Sequence, residues 1–381
     1  MSRINLLVAF CGPALAAAAC GTLPDVTTVQ DLRVLAVKCE PAGFLVDLGD
    51  PGGFKMGPMN GADPATLTAQ ITALVADPLA PGGMLTVSGV GCPDYIDTVT
   101  SATGQGTNLC PPASATSQIP GQLGMDLTTQ PTSPAGPVTF PPTAGTDYVF
   151  QPTVAFGLTP TQVGDFFSPT PTGIAQLDQS IAYNRDFGLP AIVNLKFDIN
   201  GEHAVAIKNV VYWPKLDPSE QPNTNPTLEG LTLYMHRNAD TGDPQDPWPD
   251  QNPTLSISAG DKLFVQPDYL PDPSTGYAGA VDTNYLLRVK NTQTNEIETQ
   301  VVPRELVRFQ FYATAGTFQQ DQTQSELEPF VSPGSRLHTD SQYNLPKVSE
   351  LPAAGQVRIW VVTHDERAGS DWLSTTITVV P

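Results

Sequence analysis

The acidic stretch at residues 238–252 carries the densest group of side chains that could bind a ligand. It contains Asp240, Asp243, Asp246, Trp248 and Asp250. Carboxylate oxygens are the ligands that Ca²⁺ prefers in proteins, and an indole ring can stack on a sugar. The spacing does not follow the EF-hand pattern, and a run of acidic residues is also typical of a solvated surface loop. The stretch therefore predicts either a Ca²⁺-dependent carbohydrate-binding site or, more simply, a solvated loop.

Catalytic patterns do not stand out among the other polar residues. The four histidines, His203, His236, His338 and His364, form neither an HExxH motif nor a pair four residues apart. The chain also has no G-x-S-x-G nucleophile elbow and no Gly-rich phosphate loop. We therefore expect no enzymatic activity and no cofactor, unless the fold brings titratable groups together in a pocket.

The beginning of the chain has the layout of an export signal. Arg3 precedes an apolar run at residues 6–10, and four alanines at residues 16–19 lead into Cys20. This pattern predicts a secretory signal peptide over residues 1–19. A cysteine directly after small residues predicts lipidation of Cys20, as in a bacterial lipobox, although Ala17 stands where such boxes usually carry Leu. The alternative is ordinary cleavage at the same alanines, which have the A-x-A form. Either interpretation exports the chain, and we expect residues 20–30 to form a polar tether.

Composition limits the partners of the mature protein. The chain has 381 residues and a net charge of −20, with 38 acidic residues against 18 basic ones. This charge argues against nucleic-acid binding, which needs a basic surface, and against attraction to anionic lipid headgroups. The 39 prolines and 32 glycines disfavour long helices and favour short strands joined by turns.

The cysteines predict a disulfide. Cys92 and Cys110 flank a loop-like segment of a chain that we expect to be exported, where disulfides persist. A bond between them would stabilise the fold by about 3 kcal/mol. Cys39 would then be a buried thiol, or it could pair with either of the others. If Cys20 is not lipidated, the four cysteines allow three pairings.

Residues 31–213 read as a first β-rich module. Strands are predicted at residues 32–39, 84–90 and 148–156. Residues 67–75 alternate apolar and polar side chains and contain several threonines, which favours a strand over a competing amphipathic helix. Residues 111–145 have low complexity and predict a long mobile loop, whereas residues 159–183 predict a helical segment.

A hairpin ends this first module, and a second module follows. Asn200-Gly201 stands between two alternating runs within residues 192–211 and predicts a type I′ turn. The Pro-rich residues 214–226 predict a linker. Residues 227–381 contain predicted strands at 228–234, 262–265, 306–313, 357–361 and 373–379, with Trp360 and Trp372 expected in their core. The predicted fold is mostly β, with two antiparallel, immunoglobulin-like β-sandwich modules, the first carrying a short helical insertion.

Several short stretches resemble a group of myxobacterial cell-surface lipoproteins. They are residues 31–37 (DLRVLAV), 75–78 (VADP), 225–228 (NPTL), 311–316 (FYATAG), 357–361 (VRIWV) and 369–373 (GSDWL). The resemblance implies an outer-membrane or cell-surface lipoprotein with immunoglobulin-like modules and implies no activity. The chain departs from the group in its 111–145 insertion and in Cys39.

We therefore expect a lipid-anchored cell-envelope protein with a structural or binding role. Its partners would be the membrane, through the anchor on Cys20, and an envelope protein or glycan. The alternative is the Ca²⁺-dependent carbohydrate-binding module at residues 238–252.

Overall fold

The N-terminal module is built almost entirely from strands. The computed structural model describes residues 26–46, 67–93, 125–126, 137–158, 160–168, 175–215, 223–237, 244–247, 252–269, 281–291, 293–294, 296–305, 307–324, 339–365 and 367–381. The first module contains strands β1 (Arg33–Glu40), β2 (Gly43–Val46), β3 (Leu67–Ala76), β4 (Leu85–Pro93), β5 (Met125–Asp126), β6 (Val138–Phe140), β7 (Val149–Phe150), β8 (Thr153–Leu158), β9 (Leu189–Ile199) and β10 (Glu202–Pro214). Helices α1 (Pro160–Phe167) and α2 (Ala175–Phe187) lie between β8 and β9.

These strands form two sheets that share one core. One sheet contains β1, β3, β7 and β8, and the other contains β2, β10, β9, β4, β5 and β6. Ile71 and Phe156 of the first sheet belong to the same buried cluster as Val193, Phe197 and Tyr212 of the second. Because apolar residues alternate along these strands, each sheet presents one apolar face to the other. The first module is therefore a β-sandwich.

The local signals for β3 and for the β9–β10 hairpin are confirmed. In β3, Ala69, Ile71, Ala73 and Val75 are buried, as a period of two requires, so the helical alternative is wrong. Strands β9 and β10 pair antiparallel, and the turn between them places Asn200 at φ 51° and Gly201 at φ 89°. Two consecutive positive φ angles are the condition that a type I′ turn imposes.

Two predictions for the first module are wrong in part. The stretch 111–145 is not one loop, because β5 and β6 both pair with β4, with Val87 opposite Val138 and Leu85 opposite Phe140. The alternation Val138-Thr139-Phe140 overrides the surrounding low complexity. The helical segment 159–183 is two helices, α1 and α2. Pro169 and Pro171 lie between them in the sequence, and proline disfavours helix both at its own position and at the preceding one.

The C-terminal module is a second β-sandwich. It contains β11 (Leu228–Arg237), β12 (Pro244–Pro247), β13 (Thr254–Ser256), β14 (Leu263–Tyr269), β15 (Val281–Lys290), β16 (Ile297–Glu305), β17 (Arg308–Ala313), β18 (Thr317–Phe318), β19 (Gln322–Gln324), β20 (Ser341–Asn344), β21 (Gln356–His364) and β22 (Ser370–Val380). The sheet orders are β12-β11-β14-β20-β18 and β13-β22-β21-β17-β19. Leu233 and Val265 of one sheet pack with Phe311, Ile359 and Ile377 of the other.

The predicted fold class is confirmed: the protein is mostly β, with two sandwich modules and a helical insertion in the first. Most neighbouring strands are antiparallel, but β2 pairs parallel with β10 and β13 pairs parallel with β22. The β15–β16 hairpin forms a separate two-stranded sheet that the sequence patterns did not predict. Within the described residues, no helix is long and apolar enough to cross a membrane.

A third apolar cluster joins the two modules. Leu35, Ala36 and Leu74 of the first module pack against Trp360 and Val362 of β21. Trp360, which is 1% exposed, was predicted to lie in the sandwich core and instead lies in this junction, because its strand is buried on both faces. Trp372 is only partly buried and packs against the same cluster, so its predicted place in the core is also wrong.

The predicted tether at residues 20–30 is wrong at its C-terminal end. Thr27, Thr28 and Val29 are buried, and Thr28 forms a parallel β-bridge with Ala313 of β17. The amide of Val29 donates to the carbonyl of Ala313 at 2.8 Å, and the amide of Ala313 donates to the carbonyl of Thr27 at 2.8 Å. The segment that precedes the first module is therefore fastened to the second.

Candidate functional site

Most residues of the predicted ligand sites lie outside the described residues. These are Cys20, Cys110, Asp240, Asp243, Trp248 and Asp250. The backbone of Asp246 lies in β12 and that of Cys92 lies at the end of β4. In the described part of the chain, no three His, Cys, Asp or Glu side chains are placed to hold a metal ion. The Ca²⁺–carbohydrate site, the lipidation of Cys20 and the Cys92–Cys110 disulfide all stay predictions.

The histidines occupy separate places in the fold. His203 on β10 contacts Asp198 on β9, with Nδ1 and Oδ2 2.6 Å apart, in a largely exposed pair. His236 lies on β11, and His338 lies outside the described residues. His364 ends β21 and faces a cleft between the modules. Of the two histidines whose side chains are described, His203 pairs with Asp198 at the surface, whereas His364 lies in the cleft near Lys208 and Arg308.

The cleft between the modules has a volume of about 580 Å³. Residues 34–37 of β1 and 205–209 of β10 line it from the first module. The second module contributes Gln310 and Tyr312 of β17, together with the end of β21 and the loop that leads into β22. A cleft at a module boundary is a common place for a binding site, and this one contains the charged and polar side chains that define the junction.

The side chain of Lys208 reaches from the first module to the second. It lies on the inward-facing side of β10 and is 7% exposed. Its Nζ donates to the carbonyl of Ala368 at 2.5 Å and to the Ser370 hydroxyl at 3.1 Å. Burial lowers the pKa of the Lys208 amine from its usual range because a charged ammonium is poorly solvated there. Lys208 therefore acts as a buried donor that ties β10 to the β21–β22 loop.

Cys39 lies next to this lysine and is chemically quiet. The side chain is fully buried and is a free thiol in the structure. Burial raises the pKa of the Cys39 thiol to about 12, although the charge of Lys208 partly opposes this. Since the thiolate is the reactive form, Cys39 is a structural residue rather than a nucleophile.

Asn225 and Ser370 form the centre of the junction. Asn225 Nδ2 donates to the carbonyl of Cys39 and to Glu40 Oε2, each at 2.8 Å. The amide of Ser370 donates to Asn225 Oδ1 at 2.9 Å, and the Ser370 hydroxyl donates to the carbonyl of Val37 at 2.9 Å. Asn225 thus donates to β1 through its side-chain NH₂ group and accepts from β22 through its side-chain carbonyl oxygen.

Asp365 shapes the loop that carries these contacts. Its carboxylate accepts hydrogen bonds from Asn223 Nδ2 at 3.1 Å and from the amides of Arg367 and Gly369 at 2.9 and 2.5 Å. Burial raises the pKa of Asp365, and these donors act in the opposite direction. An ion pair between Lys38 and Asp371, 3.3 Å apart, lies at the edge of the same junction.

Burial also determines the charge of His364. Its pKa is lowered to about 4, first by burial and then by the positive charges of Lys208 and Arg308. The imidazole is therefore neutral at neutral pH. Together the cleft offers a buried amine, a neutral imidazole and a largely buried carboxyl group, but the amine bonds across the two modules and the carboxyl group holds the β21–β22 loop in shape.

Sequence patterns did not predict this junction, although several of the short stretches noted in the sequence lie in it. Residues 31–37 contain the first part of β1, which lines the cleft. Residues 225–228 begin with Asn225, and residues 369–373 contain Ser370 and Asp371. Ala313 and Trp360 belong to two further stretches and also contact the first module. The signal was present as separate short segments, and only the fold brings them together.

Comparisons with known proteins give no family. No protein-family model and no curated protein matches the chain. Among solved structures, it is similar to red sea bream transglutaminase (7% identity, TM-score 0.21), to latent PorU of Porphyromonas gingivalis (8% identity, TM-score 0.18) and to Escherichia coli alpha-2-macroglobulin activated by elastase (11% identity, TM-score 0.20). Each alignment covers 93% or 94% of this chain but only 32%, 24% and 22%, respectively, of the other. Similarity at this level supports no functional argument.

Proposed function

We propose that this protein is an exported, lipid-anchored component of the cell envelope with a structural or binding role. The observation that carries the proposal is the sequence of the first twenty residues, in which Arg3, an apolar run at residues 6–10 and four alanines at residues 16–19 precede Cys20. Because residues 27–29 are fastened to the second module, a mature chain that begins at Cys20 would enter the folded body within a few residues. The lipid on Cys20 would hold the protein at the outer membrane or cell surface.

The short distance from the anchor to the folded body fixes which part of the protein would lie near the membrane. The chain between Cys20 and Thr27 can span at most about 25 Å when fully extended. Ala313 and Phe318 of the second module both bond to Thr27, and Val29 packs in the apolar cluster that joins the modules. The anchor would therefore hold the middle of the protein close to the membrane and leave both modules to extend along or away from it.

The character of the cleft supports a binding or structural role over catalysis. Lys208 donates to Ala368 and Ser370, and Asp365 accepts three hydrogen bonds from its own loop and from Asn223. Groups that already hold a module interface are poorly placed to take part in a reaction cycle. A hydrolytic activity in the purified protein, abolished by Lys208→Met, would contradict this part of the proposal.

The anchor is tested by expressing the full chain in a Gram-negative host fed with an alkyne-labelled fatty acid. We expect the label to be incorporated and mass spectrometry to find a mature N-terminus at a diacylated, N-acylated Cys20. Cys20→Ser should abolish labelling and release the protein from the membrane fraction. Cys39→Ala is the matched control and should be labelled normally. Cleavage without labelling in the unmodified chain would refute the anchor and leave ordinary secretion.

A further inference from the structure

Two strand edges of the first module face the cleft without a strand partner. Strand β1 pairs along one edge with β3. Strand β10 pairs along one edge with β9, and on its other edge β2 covers Val211–Pro214. Among the described strands, none pairs with the second edge of β1 or with the second edge of β10 over residues 202–210. On β1, the carbonyls of Val37 and Cys39 already accept from Ser370 and Asn225, so the edge of β10 is the one available to a further strand.

The free edge of β10 lacks the usual protection against pairing. Residues 204–207 are Ala-Val-Ala-Ile, a β-prone run without proline or charge. Val205 is 72% exposed and Ile207 is 51% exposed. Lys208, which could guard the edge, points inward and bonds to Ala368. Natural sheets normally blunt an exposed edge with lysine, proline, a bulge or a covering segment, so an edge of this composition is suited to pairing.

The residues that surround the cleft favour a single extended segment over a strand of another sheet. Residues 34–37 of the facing sheet lie on one side, and Gln310, Tyr312 and His364 of the second module lie on another. A single extended segment needs less room between these walls than a strand that carries its own sheet neighbours. Residues 205–209 span about 16 Å, the length of about five residues of such a segment.

We propose that the cleft binds an extended peptide segment of a partner protein, which adds to the free edge of β10 as a new strand. The backbone of the segment would pair with residues 203–209. Its outward side chains would lie beside Val205 and Ile207, which favours apolar, β-branched residues there. The net charge of −20 favours a neutral or basic segment over an acidic one. This site is independent of the proposed lipid anchor.

The first test pans a phage-displayed library of random ten-residue peptides against the full mature chain. We expect enrichment of peptides with alternating apolar residues and few acidic ones. The selected peptide should slow amide hydrogen exchange within residues 203–209. The double variant Val205→Lys/Ile207→Lys should weaken its binding at least tenfold. Leu79→Lys, at an apolar side chain that is 69% exposed in a turn after β3, is the matched control and should change the affinity less than twofold.

A second measurement distinguishes strand addition from binding through side chains alone. The selected peptide is resynthesised with N-methyl groups on alternate amides, in both phases. We expect one phase to lose at least tenfold in affinity and the other to bind normally, because only every second amide of an added strand points at β10. The proposal is overturned if no peptide is enriched, if both phases bind alike, if exchange slows elsewhere, or if crosslinking shows β10 pairing with a second copy of this chain.

Discussion

Replacing Trp360 by alanine should separate the two modules without dismantling either sandwich. The indole ring lies in the apolar cluster at the junction, where it packs with Leu35, Ala36 and Leu74 of the first module. Its neighbours on β21, Ile359 and Val361, point to the opposite face and belong to the core of the second sandwich. The change therefore removes contacts between modules and leaves the cores in place.

The expected cost follows from burial. Trp360 is 1% exposed, and truncating a fully buried large aromatic residue destabilises proteins by about 3–5 kcal/mol. Arg358 lies over the ring, with its guanidinium carbon 5.9 Å from the centroid, and such a contact adds about 0.5–1 kcal/mol. We expect Trp360→Ala to reduce the free energy of unfolding by about 4 kcal/mol. We also expect one urea transition in the unmodified chain and two in Trp360→Ala, because the modules of the variant would no longer unfold together.

Native-state hydrogen exchange locates the effect. The amide of Val29 bonds to Ala313 at the junction, and its exchange should accelerate in Trp360→Ala while amides of β9 stay protected. Phe309→Ala, at a fully buried residue of the second core, is the matched control. It should cost a similar free energy but accelerate exchange throughout the second module. A loss below about 1 kcal/mol, or unchanged exchange at Val29, would refute the assignment of Trp360 to the junction.

Three further changes test the junction and its supports. The pKa of His364 is about 4 in the folded protein against 6.5 when solvated. The free energy of unfolding should therefore fall on acidification below pH 6.5, by about 2 kcal/mol at pH 5. Urea unfolding should show a smaller fall in His364→Gln. Ser370→Ala leaves the carbonyl of Val37 without its donor and should lower the free energy of unfolding by about 1–3 kcal/mol in the same assay. Ser374→Ala, at an exposed position, should lower it by under about 0.5 kcal/mol. Gly316 has a φ of +73°, and Gly316→Ala would place a Cβ 2.5 Å from the carbonyl oxygen of Asn344. The Cβ of Gly201→Ala would meet nothing within 4 Å. The melting temperature of Gly316→Ala should therefore be well below that of Gly201→Ala.

Features that depend on neighbouring residues could be predicted from the sequence. The type I′ turn needs only Asn200-Gly201 between two alternating runs, and the strand character of β3 follows from its own alternation. Strands β21 and β22 follow from the same period, and in the structure they pair antiparallel. In each case the information lies within about 20 residues, where side-chain periodicity and turn chemistry act directly.

The cleft could not be predicted in this way because its contacts join distant residues. Asn225 Oδ1 meets the amide of Ser370 across 145 positions, and Lys208 Nζ meets the Ser370 hydroxyl across 162. For strand β10 the sequence also leaves open which face is buried, since Ala204 and Ala206 occupy one face and Val205 and Ile207 the other. The structure turns Ala204 and Ala206 toward the core of the first module, and Lys208 on the same face bonds to the β21–β22 loop. Local hydrophobicity alone would favour the opposite choice.

One signal for the junction was nevertheless present in the sequence. A strand with one solvated face alternates, whereas a strand covered on both faces reads as a continuous apolar run. Residues 359–362 of β21 are Ile-Trp-Val-Val, and residues 34–37 of β1 are Val-Leu-Ala-Val. In β21, Ile359 and Val361 face the sandwich core while Trp360 and Val362 face the junction. The two uninterrupted runs thus mark two of the strands that have a second layer on their outer faces. This is a physical reason for short apolar stretches to lie together at the junction although they are far apart in the chain.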